Sequence, residues 1–481
     1  MADMTPDAIR SLFDAQHRAS RAQPDVPVAV RRERLLRLRT LLQEHAPAIA
    51  AAVQADFGMR SPRLTEVADF FLLRTQMAQT LRRLERWCRP QRVGTPLYLR
   101  PARAWLQRQP LGVVGIISPW NYPVQLALAP AIGAIAAGNR VLLKPSELTP
   151  HTSAKLADLV AKAFAPDEFC VLQGGPEVAA QVAALPLDHL VFTGSTAVGR
   201  KVALAAAANL TPTTLELGGK SPAIIDADCD LKDAALKLAH GKLLNAGQTC
   251  IAPDYLFVPK GSEATFADHY RAAVAQLFPY FAGNPDYASI ITPRHLARLR
   301  DLLQEAQGMG ATVHEMTAAP GTPEPPQQTL GDGIARQMPP ALVLGATGQM
   351  RLMQEEIFGP LLPVIPYEAL DDVVRHINAH PRPLSLYWFG NRAAVRDEVL
   401  ARTVSGGVTV NDTLLHIAHE NLPFGGIGDS GWGAYHGERG FLRFSHEKPV
   451  LVQSRWGAGK MLYPPYGARF DRVMGLLRRL M

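Results

Sequence analysis

"LGVVGIISPWNYPVQLALAPAIGAIAAGNRVLLKPSE", residues Leu111–Glu147, decides how this chain folds. From Gln109 to Asn139 it has no charged side chain, a length that would cross a bilayer as one helix. Pro119, Asn121, Pro123 and Pro130 interrupt it, so no continuous helix remains to satisfy the backbone in lipid. The stretch reads instead as a buried strand, a turn and a buried helix, and "RVLLK" adds a second apolar strand. That succession predicts a βαβ unit. Downstream, "FCVLQ", "HLVFTG" and "TTLELGG" continue the alternation to Gly219. The expectation is a parallel sheet with helices on both faces, binding ligand at the carboxyl ends of its strands.

A second alternating stretch starts at "SPAIID" and runs to about Val410. It contains a Pro/Gly/Thr-rich insertion, "MTAAPGTPEPPQQTLGDG", predicted as an exposed loop. The first hundred residues read as amphipathic helices. In "RRERLLRLRTLLQEH", Leu35, Leu36, Leu38, Leu41 and Leu42 form the apolar stripe and the arginines a solvated face. Thr95–Gln109 partly alternates, which predicts a β-ribbon outside the main core. The tail "FDRVMGLLRRLM" is a short basic amphipathic helix that packs on its own protein or on a partner subunit.

With 481 residues the chain is long enough for two or three domains, and its 47% apolar and 19% charged content is that of a soluble globular protein. Its four cysteines include no C-x-x-C pair, which excludes a disulfide framework or zinc cluster and fits a reducing, cytoplasmic setting. The formal charge of +7 comes without a basic cluster backed by aromatic residues, so no nucleic-acid partner is expected.

Two glycine-rich runs imitate nucleotide loops. "GIGDSG", Gly426–Gly431, matches G-x-G-x-x-G but follows "NLPF" rather than a strand, and "GGKS", Gly218–Ser221, has Thr214 where a Walker loop needs its first glycine. Neither is read as a phosphate site. In "VFTGSTAVGR" a strand ends at Thr193, Gly194 turns, and Ser195 opens a helix whose N–H groups and dipole suit a pyrophosphate. An N-capped helix after a strand explains the same letters. In "LLKPSE", Lys144 and Glu147 stand where adenosine-ribose hydroxyls are read, although an exposed turn fits equally well. Asn121 in "SPWNYP", Glu216 in "LELGGK" and Cys250 in "NAGQTC" each have a plain alternative as turn former, ion-pair partner and packing residue.

Taken together, "SPWNYP", "LLKPSE", "VFTGS", "LELGGK", "GQTC", "EEIFGP" and "PFGGIGDSG", in this order, resemble the aldehyde dehydrogenase superfamily over nearly the whole chain. "GQTCIAPDY", "NDTLLH" and "GAYHGERGF" are most similar to its branch of fatty-aldehyde, class 3 and coniferyl-aldehyde enzymes. The resemblance implies two doubly wound parallel-sheet domains with a small β oligomerisation element. The cofactor domain would be a variant Rossmann fold over 1–94 and 110–219, and the catalytic domain 220–409. Residues 410–439 would return to the cofactor domain, and 95–109 with 440–481 would form the oligomerisation and tail element.

By the same resemblance Cys250 is the nucleophile, Asn121 an oxyanion donor and Glu216 the general base. Lys144, Glu147, Gly194, Ser195, Glu356 and Phe358 would hold NAD, with NADP as the other possible cofactor, and no metal is needed. Tyr122, Ile251, Leu415 and His416 are candidate walls of the substrate tunnel. The implied reaction is oxidation of an apolar or aromatic aldehyde of coniferyl type, in a homodimer, with medium or long-chain aliphatic aldehydes as the alternative. A cysteine hydrolase or acyltransferase is the alternative from another class, and it would require a histidine base.

Overall fold

A computed structural model describes residues 4–318 and 332–480. The Pro-rich insertion lies for the most part outside the described residues. Strands are numbered β1–β16 in chain order.

Strand β3 (Val113–Ile117) is buried at every position, because both faces of a parallel sheet are covered by helices. It pairs in parallel with β4 (Arg140–Lys144) on one side and β6 (His189–Gly194) on the other. β5 (Phe169–Val171) flanks β4, and β7 (Thr213–Leu217) flanks β6. The sheet therefore reverses direction of growth between β3 and β6, the switch point at which such sheets bind ligands. Gly115, in mid-strand, lets Leu187 close onto the sheet, since a Cβ there would lie 2.5 Å from its Cδ1. The connecting helix Gln125–Ala137 is buried along its whole length and ends at Gly138, whose φ of 95° forms a left-handed cap.

The second sheet has seven strands in the order β10-β11-β12-β9-β8-β13-β14. These are β8 (Pro222–Ile225), β9 (Tyr255–Pro259), β10 (Thr312–Glu315), β11 (Ala341–Leu344), β12 (Leu361–Tyr367), β13 (Ser385–Phe389) and β14 (Gly407–Val410). Each sheet departs from pure parallel pairing at one edge. β10 runs antiparallel to β11, and β15 (Gly431–Trp432) runs antiparallel to β7.

A third, antiparallel sheet joins β1 (Gln91–Val93), β2 (Arg103–Pro110) and β16 (Ser445–Val452). The ribbon expected over Thr95–Gln109 thus reaches back to Gln91, and its regular strand starts only at Arg103. The helix Gly437–Arg443 belongs with the first core, into which Phe441 and Phe444 pack.

In the helix Val28–Phe57 the apolar stripe is as read, but its arginines are not all solvated. Arg31 and Arg34 are buried, because Arg31 donates to the Val26 and Ala136 carbonyls and Arg34 pairs with Glu168 at 2.9 Å. Among the described residues no helix is long and apolar enough to cross a membrane.

Candidate active site

Four of the residues picked out from sequence lie at the carboxyl ends of the first sheet. Asn121 follows β3, Lys144 ends β4, Gly194 ends β6, and Glu216 lies one residue from the end of β7. Lys144 is buried and its ammonium meets Glu147 at 2.9 Å. Beyond them opens a cavity of about 230 Å³, lined by Ser146, Glu147, Ser153 and Gln173 among others. Ser195 caps the helix Thr196–Ala207, its hydroxyl accepting from the Val198 N–H at 3.4 Å.

The two glycine decoys are structural. Gly428–Ser430 forms a turn into β15, and its Asp429 pairs with Arg200 at 2.9 Å. Lys220 of "GGKS" pairs with Asp254 and donates to the carbonyls of Leu352 (2.8 Å) and Glu355 (3.1 Å), so it holds protein rather than phosphate.

Cys250 sits in the loop between the helix Leu231–Leu243 and β9. Asn245, Ala246 and Gly247 all have left-handed backbones, with φ of 53°, 53° and 77°. At Gly247 a Cβ would strike the Gly359 carbonyl, so glycine is required there. This tight turn leaves Cys250 partly exposed while every other residue from Asn245 to Val258 is buried. Its sulfur packs against an apolar cluster of Ile251, Leu384, Leu414 and Phe424, with Leu244 and Ile417 at the margin. Burial and the carboxylates of Glu356 and Glu216 push its pKa up, against the N–H groups of Cys250 and Ile251, which favour the thiolate. At rest the group is a thiol. Asn121 approaches the same loop, its Nδ2 donating to the Gln248 carbonyl at 3.1 Å.

Glu216 is 2% exposed, and neither carboxylate oxygen has a hydrogen-bond partner within the protein. Burial alone raises its pKa well above the carboxylate range. Glu356 is pushed to about 8 by burial and by Asp254, opposed by the Gly219 N–H, and its Oε1 is likewise unpartnered. Gly218 makes room for it, because a Cβ there would collide with the carboxylate. Phe358 adopts φ of 51°, unusual outside glycine, and meets the Trp120 ring edge-on at 5.4 Å.

The predicted tunnel residues divide. The Tyr122 hydroxyl is 2.6 Å from Thr249 Oγ1, and Ile251 belongs to the cluster at Cys250. Leu415 and His416 differ from these two in exposure and bonding. Leu415 is 57% exposed and lies outside that cluster. Both His416 ring nitrogens are engaged, Nε2 with Ser385 Oγ at 3.0 Å and Nδ1 with Thr409 Oγ1 at 2.8 Å, so the ring braces the wall from behind. Sequence reading missed Leu244, Leu384, Leu414 and Phe424 because apolar residues scattered over the chain carry no pattern until it folds.

A model of the aldehyde dehydrogenase family matches residues 1–450. The chain belongs to the aldehyde dehydrogenase family. It is 46% identical over 467 residues to a probable coniferyl aldehyde dehydrogenase of Pseudomonas aeruginosa, covering 97% of this chain and 95% of that protein. It is 43% identical to a coniferyl aldehyde dehydrogenase of a Pseudomonas species, covering 99% and 97%. Among solved structures, an aldehyde dehydrogenase of Staphylococcus aureus in a substrate-bound state superposes with a TM-score of 0.90 at 34% identity, over 98% of this chain and 99% of that one. The protein is thus an aldehyde dehydrogenase, an enzyme that takes NAD(P) as its oxidant. Its residues fit such a dinucleotide: Gln173 Oε1 is buried without a partner beside the cavity past β4, a capped helix begins after β6, and Glu356 Oε1 is unpartnered over Gly218.

Proposed function

We propose that this aldehyde dehydrogenase oxidises an aromatic aldehyde of coniferyl type to its carboxylic acid, with Cys250 as nucleophile. The observation carrying this reading is that Cys250 is only partly buried, packs on an apolar wall and is acted on by two buried carboxyl groups. A flat apolar substrate fits walls made of Leu244, Ile251, Leu384, Leu414, Ile417 and Phe424. The two coniferyl-aldehyde relatives favour aromatic over long aliphatic substrates.

Lys144 and Glu147 would hold the adenosine ribose, and Gly194 and Ser195 the pyrophosphate at their helix N-terminus. Glu356 would bind the nicotinamide ribose, with Phe358 beside the ring. The negative Glu147 opposes a 2′-phosphate, so NAD is the favoured cofactor. A dinucleotide held by these residues would supply the acceptor for the hydride that leaves the substrate carbon.

In the proposed mechanism the thiol of Cys250 gives its proton to solvent water and the thiolate sulfur bonds to the aldehyde carbon. The carbonyl π electrons move onto oxygen. The Asn121 amide and the Cys250 N–H donate to that oxygen, and one such donor is worth about 100- to 1,000-fold in rate. Once the carbon is oxidised, the carbonyl re-forms as a thioester on Cys250. Glu216 then takes a proton from water, the hydroxyl bonds to the acyl carbon, and the carbon–sulfur bond breaks to release acid and free sulfur. A cysteine hydrolase would need an imidazole acting on the sulfur, whereas the groups acting on Cys250 are the carboxyls of Glu356 and Glu216 and the backbone N–H groups of Cys250 and Ile251. A panel of aromatic and aliphatic aldehydes, each with NAD+ and NADP+, tests this. Highest kcat/KM is expected for cinnamaldehyde-type substrates with NAD+, and a preference for long aliphatic chains would reverse the assignment.

A cytoplasmic homodimer completes the reading. Among the described residues β16 leaves one edge of its ribbon unpaired, where Leu451 and Val452 are exposed, and such an edge pairs readily with a second copy. Sedimentation should show a dimer that weakens when residues 470–481 are deleted, and a monomeric full-length chain would refute it.

A further inference from the structure

Arg60 lies just past the helix Val28–Phe57, far in sequence from every motif above, and its side chain is 0% exposed. Its Nη1 donates to the Asn121 carbonyl at 2.5 Å and to Asn245 Oδ1 at 3.2 Å. Its Nη2 pairs with Asp69 Oδ2 at 2.7 Å. The other Asp69 oxygen accepts the N–H groups of Val124 (3.2 Å) and Gln125 (2.9 Å), which open the helix after Asn121. Asn245 Nδ2 donates to the same Asn121 carbonyl at 3.0 Å and to the Gln248 carbonyl at 3.4 Å. The guanidinium also lies 4.7 Å from the Phe57 ring and 5.1 Å from the Tyr122 ring.

The Asn121 peptide is therefore gripped from one side by Arg60 and from the other by the loop carrying Cys250. A buried ion pair is a poor source of net stability compared with apolar packing, because both charges lose water. What this one does supply is direction. It fixes the plane of the peptide whose side chain donates to the Gln248 carbonyl, two residues before Cys250.

We infer that Arg60, held by Asp69, is a positioning residue for the reaction. By clamping the Asn121 carbonyl and the Asn245 amide it keeps the Asn121 side chain aimed at the oxygen that becomes negative when Cys250 adds to the aldehyde. This rests on Asn121 as an oxyanion donor, and it makes one sharp demand: Arg60 acts only through Asn121.

The test is a double-mutant cycle on the full-length enzyme, read as the single-turnover rate of cofactor reduction with NAD+ and cinnamaldehyde. Asn121→Ala should slow that rate about 100- to 1,000-fold. Arg60→Lys, which keeps the charge but loses the fork, should slow it about 100-fold, the effect of misplacing a reacting group by ~1 Å. The double variant should be no slower than Asn121→Ala alone. KM for NAD+ and the iodoacetamide alkylation rate of Cys250 should stay at wild-type values. A purely structural role would lower the burst amplitude, as less folded enzyme, and leave the rate constant alone.

Multiplying effects in the double variant, or a wild-type rate in Arg60→Lys, would overturn the clamp while leaving Asn121 as donor. A wild-type rate in Asn121→Ala would remove donor and clamp together. Should Arg60→Lys fail to fold, Asp69→Asn runs the same cycle, because it keeps the shape and releases the guanidinium.

Discussion

Around Asn121 and Cys250 the buried polar groups are nearly all paired. Asn121, Asn245, Gln248, Tyr122 and Thr249 hydrogen-bond to one another or to nearby carbonyls. Around Glu216 the opposite holds. Both its oxygens, Glu356 Oε1, Glu420 Oε2, the Tyr435 hydroxyl and both His436 nitrogens are buried without a partner in the protein. A paired network fixes atoms in place, which suits a nucleophile and an oxyanion donor. Unpaired buried groups have shifted pKa values and spare hydrogen-bonding capacity, which suits a base that must pick up and release a proton. Burial likewise raises Glu420, to about 7, against the opposing Gly437 N–H. One half of the site is built to stay still and the other to exchange.

Substitutions on the two sides should therefore fail differently. Cys250→Ala should have the largest effect, a loss of at least about 10⁴-fold in kcat with no burst of reduced cofactor in stopped flow. A residual burst would mean that another group forms the covalent bond. Glu216→Gln should lower steady-state turnover about 100- to 10,000-fold while a full first-turnover burst survives. Loss of the burst would place Glu216 on the rigid side instead.

The pH dependence sharpens the contrast. Burial moves the deprotonation of Glu216 to higher pH than that of an ordinary carboxyl group, so the rate of thioester hydrolysis should climb as pH rises through that titration, up to about tenfold per unit. The native fold also binds this proton more tightly than the unfolded chain, so the same titration lowers stability as pH increases. A flat hydrolysis profile would contradict the role of base. Further out, Glu147→Gln should raise kcat/KM for NADP+ relative to NAD+ about tenfold, by removing a charge that repels the 2′-phosphate. The smallest effect is expected for His416→Asn. It should cost about 1 kcal/mol of stability in urea unfolding while kcat/KM changes less than about threefold, since the ring bonds Ser385 and Thr409 and stacks on Phe424.

The rigid half was the less legible in the sequence. Cys250, Glu216 and Asn121 stand in short motifs of unusual composition. The parallel strands β3–β8 were readable because covered strands must be apolar throughout. Arg60 and Asp69 gave no signal, since an Arg and an Asp near helical segments are ordinary until the chain brings them under Asn121. The two-residue β15 and the antiparallel edge β10 are too short to show a period. Arg31 and Arg34 were misread as solvated because periodicity ranks arginine by charge and ignores the carbonyls and the Glu168 carboxylate that receive it.

The most direct measurement is the intact mass of the Glu216→Gln enzyme after mixing with cinnamaldehyde and NAD+, followed by peptide mapping. A stoichiometric acyl adduct on Cys250, formed as the cofactor is reduced, is the predicted result. An unmodified protein after one turnover, or an adduct on Cys88, Cys170 or Cys229 instead, would contradict Cys250 as the nucleophile.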